Sequence, residues 1–260
     1  MKVVVLASGS KGNAIYIETN ETKILIDAGI SLLQIKLRLK KQGIYFNDLD
    51  AVFITHEHID HIKYLKTILN STNATVFVNK LTYKAIVKKQ IYDIEQFPVY
   101  FINSDTKYKI NNLVIVPIQM SHDAANCYGY LIKELDKENS TFATLTDTGV
   151  LDSRYYKILS SIRTILIESN HDVKMLQNSG RSYVLINRIL SENGHLSNDQ
   201  CLDALKNIVS EWTENVILGH LSEDCNMPSI AYDNINNNLK DSKFKLLVAK
   251  QHEELDIIEM

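Results

Sequence analysis

The chain opens with three short apolar runs, at residues 2–7, 14–19 and 23–27, rich in Val and Ile; the last two are joined by Asn20, Glu21 and Thr22. Runs of this length and composition, bounded by turn residues, predict consecutive strands. Ser31 then precedes Leu32, Ile35 and Leu39 at helical spacing, with Gly43 beyond, which predicts a capped helix. Strand 50–55, helix 61–70, strand 75–78 and helix 80–90 follow as a βαβα unit. Strands are predicted near 97–102, 113–117, 127–133 and 141–146, and helices at 153–160, 183–192, 198–209 and 228–239 frame strands at 163–168, 214–218 and 244–248. Strands and helices in this order predict an α/β (α+β) chain with two sheets covered by helices.

Composition narrows the class. The 260 residues are 45% hydrophobic and include only 3 Pro and 9 Gly, so nothing reads as a linker, and one layered domain over 1–260 is expected. The apolar run in MKVVVLAS is too short for a signal-peptide core, and no run of 18 apolar residues follows, so no membrane partner is expected. Cys127, Cys201 and Cys225 are an odd, widely spaced set without CxxC, which suits a reducing compartment and a cytoplasmic protein. The net charge of −3 offers no broad basic surface for nucleic acid. Two helix faces are the candidates for backbone contact: Lys36, Arg38, Lys40 and Lys41, and Lys80, Lys84, Lys88 and Lys89.

The chemistry is concentrated in DLDAVFITHEHIDHI. Here His56, His58, Asp60 and His61 put three imidazoles and a carboxylate within six residues, directly after a β-branched and aromatic strand and before helical spacing at Ile62, Leu65, Ile68 and Leu69. A strand-to-helix loop of this kind can aim His56 and His58 at one ion and Asp60 and His61 at a second. A HExxH helix differs, because its two histidines lie one turn apart on one face and hold a single ion. Further ligands recur after predicted strands: His122 after LVIVPIQM, Asp147 after TFATLT and His220 after NVILG. Placement at strand ends brings such residues to one sheet edge. Asp27, after KILI, is placed to accept a ring N–H and fix a ligand's tautomer.

The series Asp27, His56/His58/Asp60/His61, His122, Asp147, His220 resembles the active-site series of the metallo-β-lactamase superfamily over nearly the whole chain. The resemblance implies a four-layer αββα sandwich with the site at one edge. It also implies His56, His58 and His122 on a first metal, Asp60, His61 and His220 on a second, and Asp147 bridging them. The segments LASGSKGNAIYIE, IESNHD, NGHLSND and LGHLSEDCNMP look like those of the YycJ/WalJ/VicX group of small bacterial members. That likeness implies a DNA exonuclease acting from the 5′ end. The chain is too short, and too evenly patterned after Asp147, for the inserted β-CASP domain of RNA-processing members, and it shows no long Gly/Pro-rich arm like that of ribonuclease Z.

The expected cofactors are two divalent ions; the N/O donor set suits Zn, Mn or Fe alike. A bridging hydroxide formed near neutral pH would attack phosphorus in line, with no protein nucleophile. His195, in GHLSN, is the histidine left over; as catalytic residue beside Asp60 it is expected to contact the scissile phosphate or protonate the leaving 3′ oxygen. Ser10, Asn13, Asn170, His171 and Ser197 are candidates for substrate binding, and Glu168 for buttressing a histidine. Two other classes compete: a hydrolase of a small phosphodiester, thioester or lactone, and a non-enzymatic regulatory partner. The full ligand set speaks against the latter, and the oligomeric state is not legible.

Overall fold

Alternate residues of single strands point into different cores, and this builds the layers. The computed structural model describes residues 1–88 and 94–260. The first half runs β1 (Lys2–Ala7), β2 (Ala14–Glu18), β3 (Lys23–Ile26), α1 (Leu32–Lys41), β4 (Ala51–Phe53), α2 (Ile59–Ile62), α3 (Leu65–Leu69), β5 (Thr75–Val78), α4 (Lys80–Lys88) and β6 (Val99–Phe101). The second runs β7 (Tyr108–Ile110), β8 (Leu113–Met120), β9 (Cys127–Glu134), β10 (Thr141–Leu145), a 3-10 turn (Ser153–Tyr155), α5 (Tyr156–Leu159), β11 (Thr164–Glu168), α6 (Val173–Gln177), α7 (Tyr183–Leu190), α8 (Asn198–Ile208), β12 (Asn215–Gly219), α9 (Pro228–Asn238), β13 (Lys245–Val248) and β14 (Ile258–Glu259).

Among the described residues the strands form two sheets, ordered β14-β1-β2-β3-β4-β5-β6 and β13-β12-β11-β10-β9-β8-β7. Each sheet is antiparallel on one side and parallel on the other: β1–β2–β3 antiparallel and β3–β4–β5–β6 parallel, then β7–β8–β9–β10 antiparallel and β10–β11–β12–β13 parallel. Val3, Val5, Ile24, Ile26 and Phe53 of the first sheet meet Tyr130, Ile132, Phe142, Leu166 and Ile217 of the second in the central core. Their strand neighbours Val4, Leu6, Leu25 and Val52 face α1 residues Ile35 and Leu39 instead. On the second sheet Ala143, Ile165 and Ile167 face α8 residues Cys201 and Leu205. A period of two with both faces buried therefore yields helix, sheet, sheet, helix: an α/β metallo-β-lactamase sandwich.

Several boundaries differ from the sequence reading. The helix expected at 61–70 is two short helices, α2 and α3, because Tyr64 N–H leaves the helical ladder to donate to Ala28 O at 2.8 Å. The helix expected at 153–160 begins as a 3-10 turn capped by Asp152. Residues 89 and 90 of the helix expected at 80–90, Lys89 included, lie outside the described residues. Arg38 is not part of an exposed basic face. It is buried, and its guanidinium donates to Leu6 O at 2.5 Å and Gln251 O at 3.4 Å.

Candidate metal centre

Three strands end in the same way. Asp27, Asp147 and His220 follow β3, β10 and β12 with φ of 61°, 59° and 54°. This left-handed region is uncommon for residues other than glycine, and Asp and His enter it more readily than bulky or branched side chains. The turn throws each side chain off the strand end toward the sheet edge. The β4–α2 connection arrives at the same place: His56 and His58 lie in it, while Asp60 and His61 sit in the first turn of α2.

Backbone bonds hold these loops together. Asn13 N donates to Asp60 O (2.8 Å), Gly29 N to Asn13 O (2.9 Å) and Ala28 N to His61 O (2.6 Å). The approach is close enough to exclude a side chain at Gly29, where a Cβ would lie 1.8 Å from Asp60 O. The two sheets are pinned beneath the site by Tyr130, whose hydroxyl donates to Ile54 O at 2.6 Å, and by Tyr128 N, which donates to Thr55 O at 3.1 Å.

The donors gather into two groups. Atoms of His56, His58 and His122 lie within 4.8 Å of one another, as do those of Asp60, His61 and His220. Asp147 stands between them, with Oδ2 at 3.4 Å from His61 Nε2 and Oδ1 at 3.4 Å from His220 Nε2 and 3.9 Å from His122 Nε2. Nitrogens 2.0–2.1 Å from a tetrahedral ion lie roughly 3.3–3.4 Å apart. His58 Nδ1 and His122 Nε2 are 3.3 Å apart, and His61 Nε2 is 3.2 Å from Asp60 Oδ2. Within the protein, His56 Nε2, His220 Nε2 and Asp147 Oδ2 are buried without a hydrogen-bond partner. Buried polar atoms are rarely left so, and cations at these two points satisfy all three. The donor set fits divalent metal ions.

The far side of each ring is held by protein. His61 Nδ1 is 2.7 Å from Asp27 Oδ2, and Asp27 also accepts from Thr55 N at 2.9 Å. Thr55 Oγ1 reaches His56 Nδ1 at 3.0 Å and His61 Nδ1 at 3.1 Å, a role the sequence reading did not give it; a hydroxyl directly before the motif was the available signal. His122 Nδ1 faces Gly194 O at 3.1 Å, and His220 Nδ1 faces Glu168 Oε1 at 3.1 Å. Such partners fix which nitrogen faces the ion. Electrostatics divide the site. Burial, and then the neighbouring histidines, push His56 and His58 below the ordinary imidazole range, leaving lone pairs free to ligate. Burial opposes charge at His61 too, but Asp60, Asp27 and Asp147 outweigh it and raise that ring well above its usual range. The same carboxylates attract a metal cation.

The remaining candidates are placed as follows. His195 Nδ1 lies 2.7 Å from Glu168 Oε1, and its ring stacks on His220 at 5.4 Å. Glu168 is fully buried and also accepts from Thr148 N at 2.9 Å. Asn13 is buried, with its amide on Gly9 O (3.0 Å) and Asp60 Oδ2 (3.1 Å). Asn170 donates to His220 O at 2.8 Å, and His171 is buried with Nδ1 3.3 Å from Asn170 Oδ1. Ser197 is the N-cap of α8 in a reciprocal capping box with Gln200, and Ser10 is exposed.

Comparison with known proteins agrees with this construction. The beta-lactamase superfamily domain matches residues 22–221, and the chain belongs to that superfamily. It is a WalJ/YycJ-like member: it is similar to the Exodeoxyribonuclease WalJ of Streptococcus pneumoniae (strain ATCC BAA-255 / R6), 34% identical over 239 residues, 92% of this chain and 88% of that protein. The Exodeoxyribonuclease YycJ of Bacillus anthracis is 31% identical over 240 residues, 92% and 89% of the two chains. Among solved structures, the metallo-beta-lactamase fold protein YhfI from Bacillus subtilis (14% identical, TM-score 0.72, 98% of both chains) shares the fold. So does Zn(2+)-bound PqqB from Methylobacterium extorquens (14% identical, TM-score 0.74, 98% of this chain and 100% of that one). No described helix is long and apolar enough to cross a membrane.

Proposed function

We propose that this protein is a metal-dependent DNA exonuclease with two divalent ions per chain, Zn, Mn or Fe. The observation that carries the reading is the pair of donor groups joined by Asp147, with His195 beside them on Glu168. The names of the WalJ and YycJ relatives support DNA as the substrate. The exposed residues Lys80, Lys84 and Lys88 of α4 suit contacts with a DNA backbone.

Two ions bound to these groups would lower the pKa of water toward neutrality and neutralise charge on a phosphodiester. The protein's part is orientation. Asp27, Glu168 and Gly194 hold the ligand rings, and Asp147 spaces the two groups. His195 holds the proton. With Nδ1 occupied by Glu168, Nε2 is the end that meets substrate, and Glu168 raises the imidazole's pKa against the opposing effect of burial. A protonated ring there hands its proton to the leaving 3′ oxygen as the P–O bond breaks. No protein nucleophile takes part.

The test is hydrolysis, in defined metals, of labelled duplex and single-stranded DNA beside a chromogenic phosphodiester and a thioester. Wild type is expected to degrade DNA from an end, and Asp60→Ala to lose the activity. His195→Ala is expected to slow DNA cleavage about 10²–10⁴-fold at unchanged metal content. Activity confined to the thioester or the small diester rejects the reading, and DNA cleavage surviving Asp60→Ala traces it to a contaminant.

A further inference from the structure

The outer face of the second sheet carries a groove far from the metal centre. Along β8 and β9, Ile115, Tyr130 and Ile132 point into the central core, so their neighbours Val114, Val116, Leu131 and Lys133 face outward. The register sets Val114 beside Lys133, Lys133 beside Thr141 and Val116 beside Leu131, and this patch lines a cavity of about 640 Å³. Ile158 of α5, Ile162 and Trp212 line it as well. Cys127, whose Sγ lies 3.6 Å from Asp147 O, marks the catalytic end of β9. Lys133 is six residues further on, which at 3.3–3.4 Å per residue is roughly 20 Å away.

The lining combines apolar surface with free positive charge. Leu135, Ile158 and Trp212 are 45%, 45% and 53% exposed, and large apolar side chains gathered in this way mark a binding surface. The indole is held in place: Arg163 Cζ stands 5.5 Å from its centroid, and Arg163 Nη1 donates to Glu214 Oε1 at 2.5 Å. Arg163 N donates to Thr141 Oγ1 at 3.0 Å, which ties that wall to the floor. Lys107 and Lys133 also line the groove, and neither has an ion-pair partner among the described residues. Glu138 is the acidic member of the lining, and the two lysines outnumber it. The volume falls within the roughly 300–1,000 Å³ of small-molecule sites, which are mostly apolar with a few placed polar groups.

We propose that this groove is a second binding site, for a free medium-chain carboxylate. The hydrocarbon body lies on Val116, Leu131, Ile158 and Trp212, and the carboxylate meets the ammonium groups of Lys107 and Lys133. Charge complementarity selects the head, since an anion gains two unpaired donors there and a cation gains none. The floor selects the body. A nucleotide laid over Val116 and Leu131 would leave sugar hydroxyls and base edges without partners, a cost that a hydrocarbon chain avoids. A bilayer meets protruding side chains, whereas the apolar residues here line a recess. The distance from the metal centre lets the ligand bind whether or not substrate is present, and the inference does not depend on the nuclease reading.

Trp212 is the single tryptophan of the chain, so its fluorescence reports on the groove directly. Octanoate, decanoate and decanol are titrated into metal-loaded protein below their micelle-forming concentrations. Decanoate is expected to give a saturable change, and affinity to rise about 3–4-fold per methylene from octanoate to decanoate. Decanol is expected to bind about 5-fold more weakly than decanoate, and Lys107→Glu and Lys133→Glu each to weaken decanoate by about 5-fold while leaving decanol unchanged. Ile158→Glu is expected to weaken both ligands. All three substitutions are at exposed positions, so metal content is expected to stay at the wild-type level. The absence of a saturable change, equal affinities for decanoate and decanol, or undiminished decanoate binding in both lysine variants overturns the assignment. So does a Trp212 response to anionic vesicles or a single-stranded oligonucleotide without one to decanoate. A concentration-dependent dimer that Ile158→Glu dissolves also overturns it, because a second copy of the chain then fills the groove.

Discussion

Glu168 Oε1 lies 2.7 Å from His195 Nδ1, and the same oxygen lies 3.1 Å from His220 Nδ1. One fully buried carboxylate thus orients a proposed metal ligand and the proposed proton donor together. His195 and His220 draw the carboxyl well below the ordinary carboxylate range although burial pushes it up, so it is an anion throughout the neutral range. Replacing it as Glu168→Gln is expected to reduce both metal affinity and turnover by about 10–100-fold each. Metal titration and steady-state kinetics check this. A variant that loses turnover at full metal affinity would show that Glu168 serves His195 alone.

Asp27 acts on a single ring. It bonds His61 through Nδ1, and Thr55 N and Oγ1 complete its shell. Asp27→Asn is therefore expected to weaken the ion held by Asp60, His61 and His220 by about 10–100-fold while the three-histidine group keeps its own. Metal-dependent spectroscopy of a cobalt-substituted protein distinguishes the two sites, and equal loss from both contradicts the assignment.

The loop junction at Gly29 gives a stability prediction. Any Cβ there meets Asp60 O at 1.8 Å and Asn13 N at 2.4 Å, both backbone atoms that cannot swing aside. Gly29→Ala is expected to cost about 1–3 kcal/mol as the loops are forced apart. It is also expected to loosen metal binding through Asp60 and His61. Denaturant unfolding with metal analysis measures both, and an unchanged midpoint with full metal content would refute the packing argument.

The candidate chemistry is more legible in the chain than the backbone that aims it. His56, His58, Asp60 and His61 fall within six residues, so their proximity needs no tertiary information. His122, Asp147 and His220 are recognisable because each follows an apolar run, and strands of a layered sheet end at a common edge. The left-handed turns at Asp27, Asp147 and His220 leave no such mark, since nothing distinguishes these residues from Asp or His in ordinary loops. Short elements escape for a related reason. Tyr108–Ile110, Val173–Gln177 and Ile258–Glu259 span less than two helical turns or a few strand residues, too little for a period to repeat. Arg38 reads as surface charge by residue type, yet it is buried because Leu6 and Gln251 offer it carbonyl oxygens. Long-range partners of this kind are invisible to local pattern.

His171 links the site to acid stability. Burial is the main cause that lowers its pKa from 6.5 to about 4, and Nε2 has no partner within the protein. Above pH 6.5 the ring is neutral in folded and unfolded chains alike, and its contribution is fully present. Between pH 6.5 and 4 the unfolded chain takes up a proton that the folded chain refuses, so stability falls as pH falls, by about 3 kcal/mol at most. In chelator-treated protein, urea unfolding of His171→Gln is expected to depend less steeply on pH than wild type across this window. Parallel curves would show that the ring titrates freely in the folded state.

His56, His58, His122, Asp60, His61, His220 and Asp147 are proposed to meet around a pair of cations. Metal analysis of chelator-stripped protein reloaded to saturation decides this by counting the ions. Two divalent ions per chain are expected in wild type and one in Asp60→Ala. A single ion per wild-type chain at saturation would contradict it.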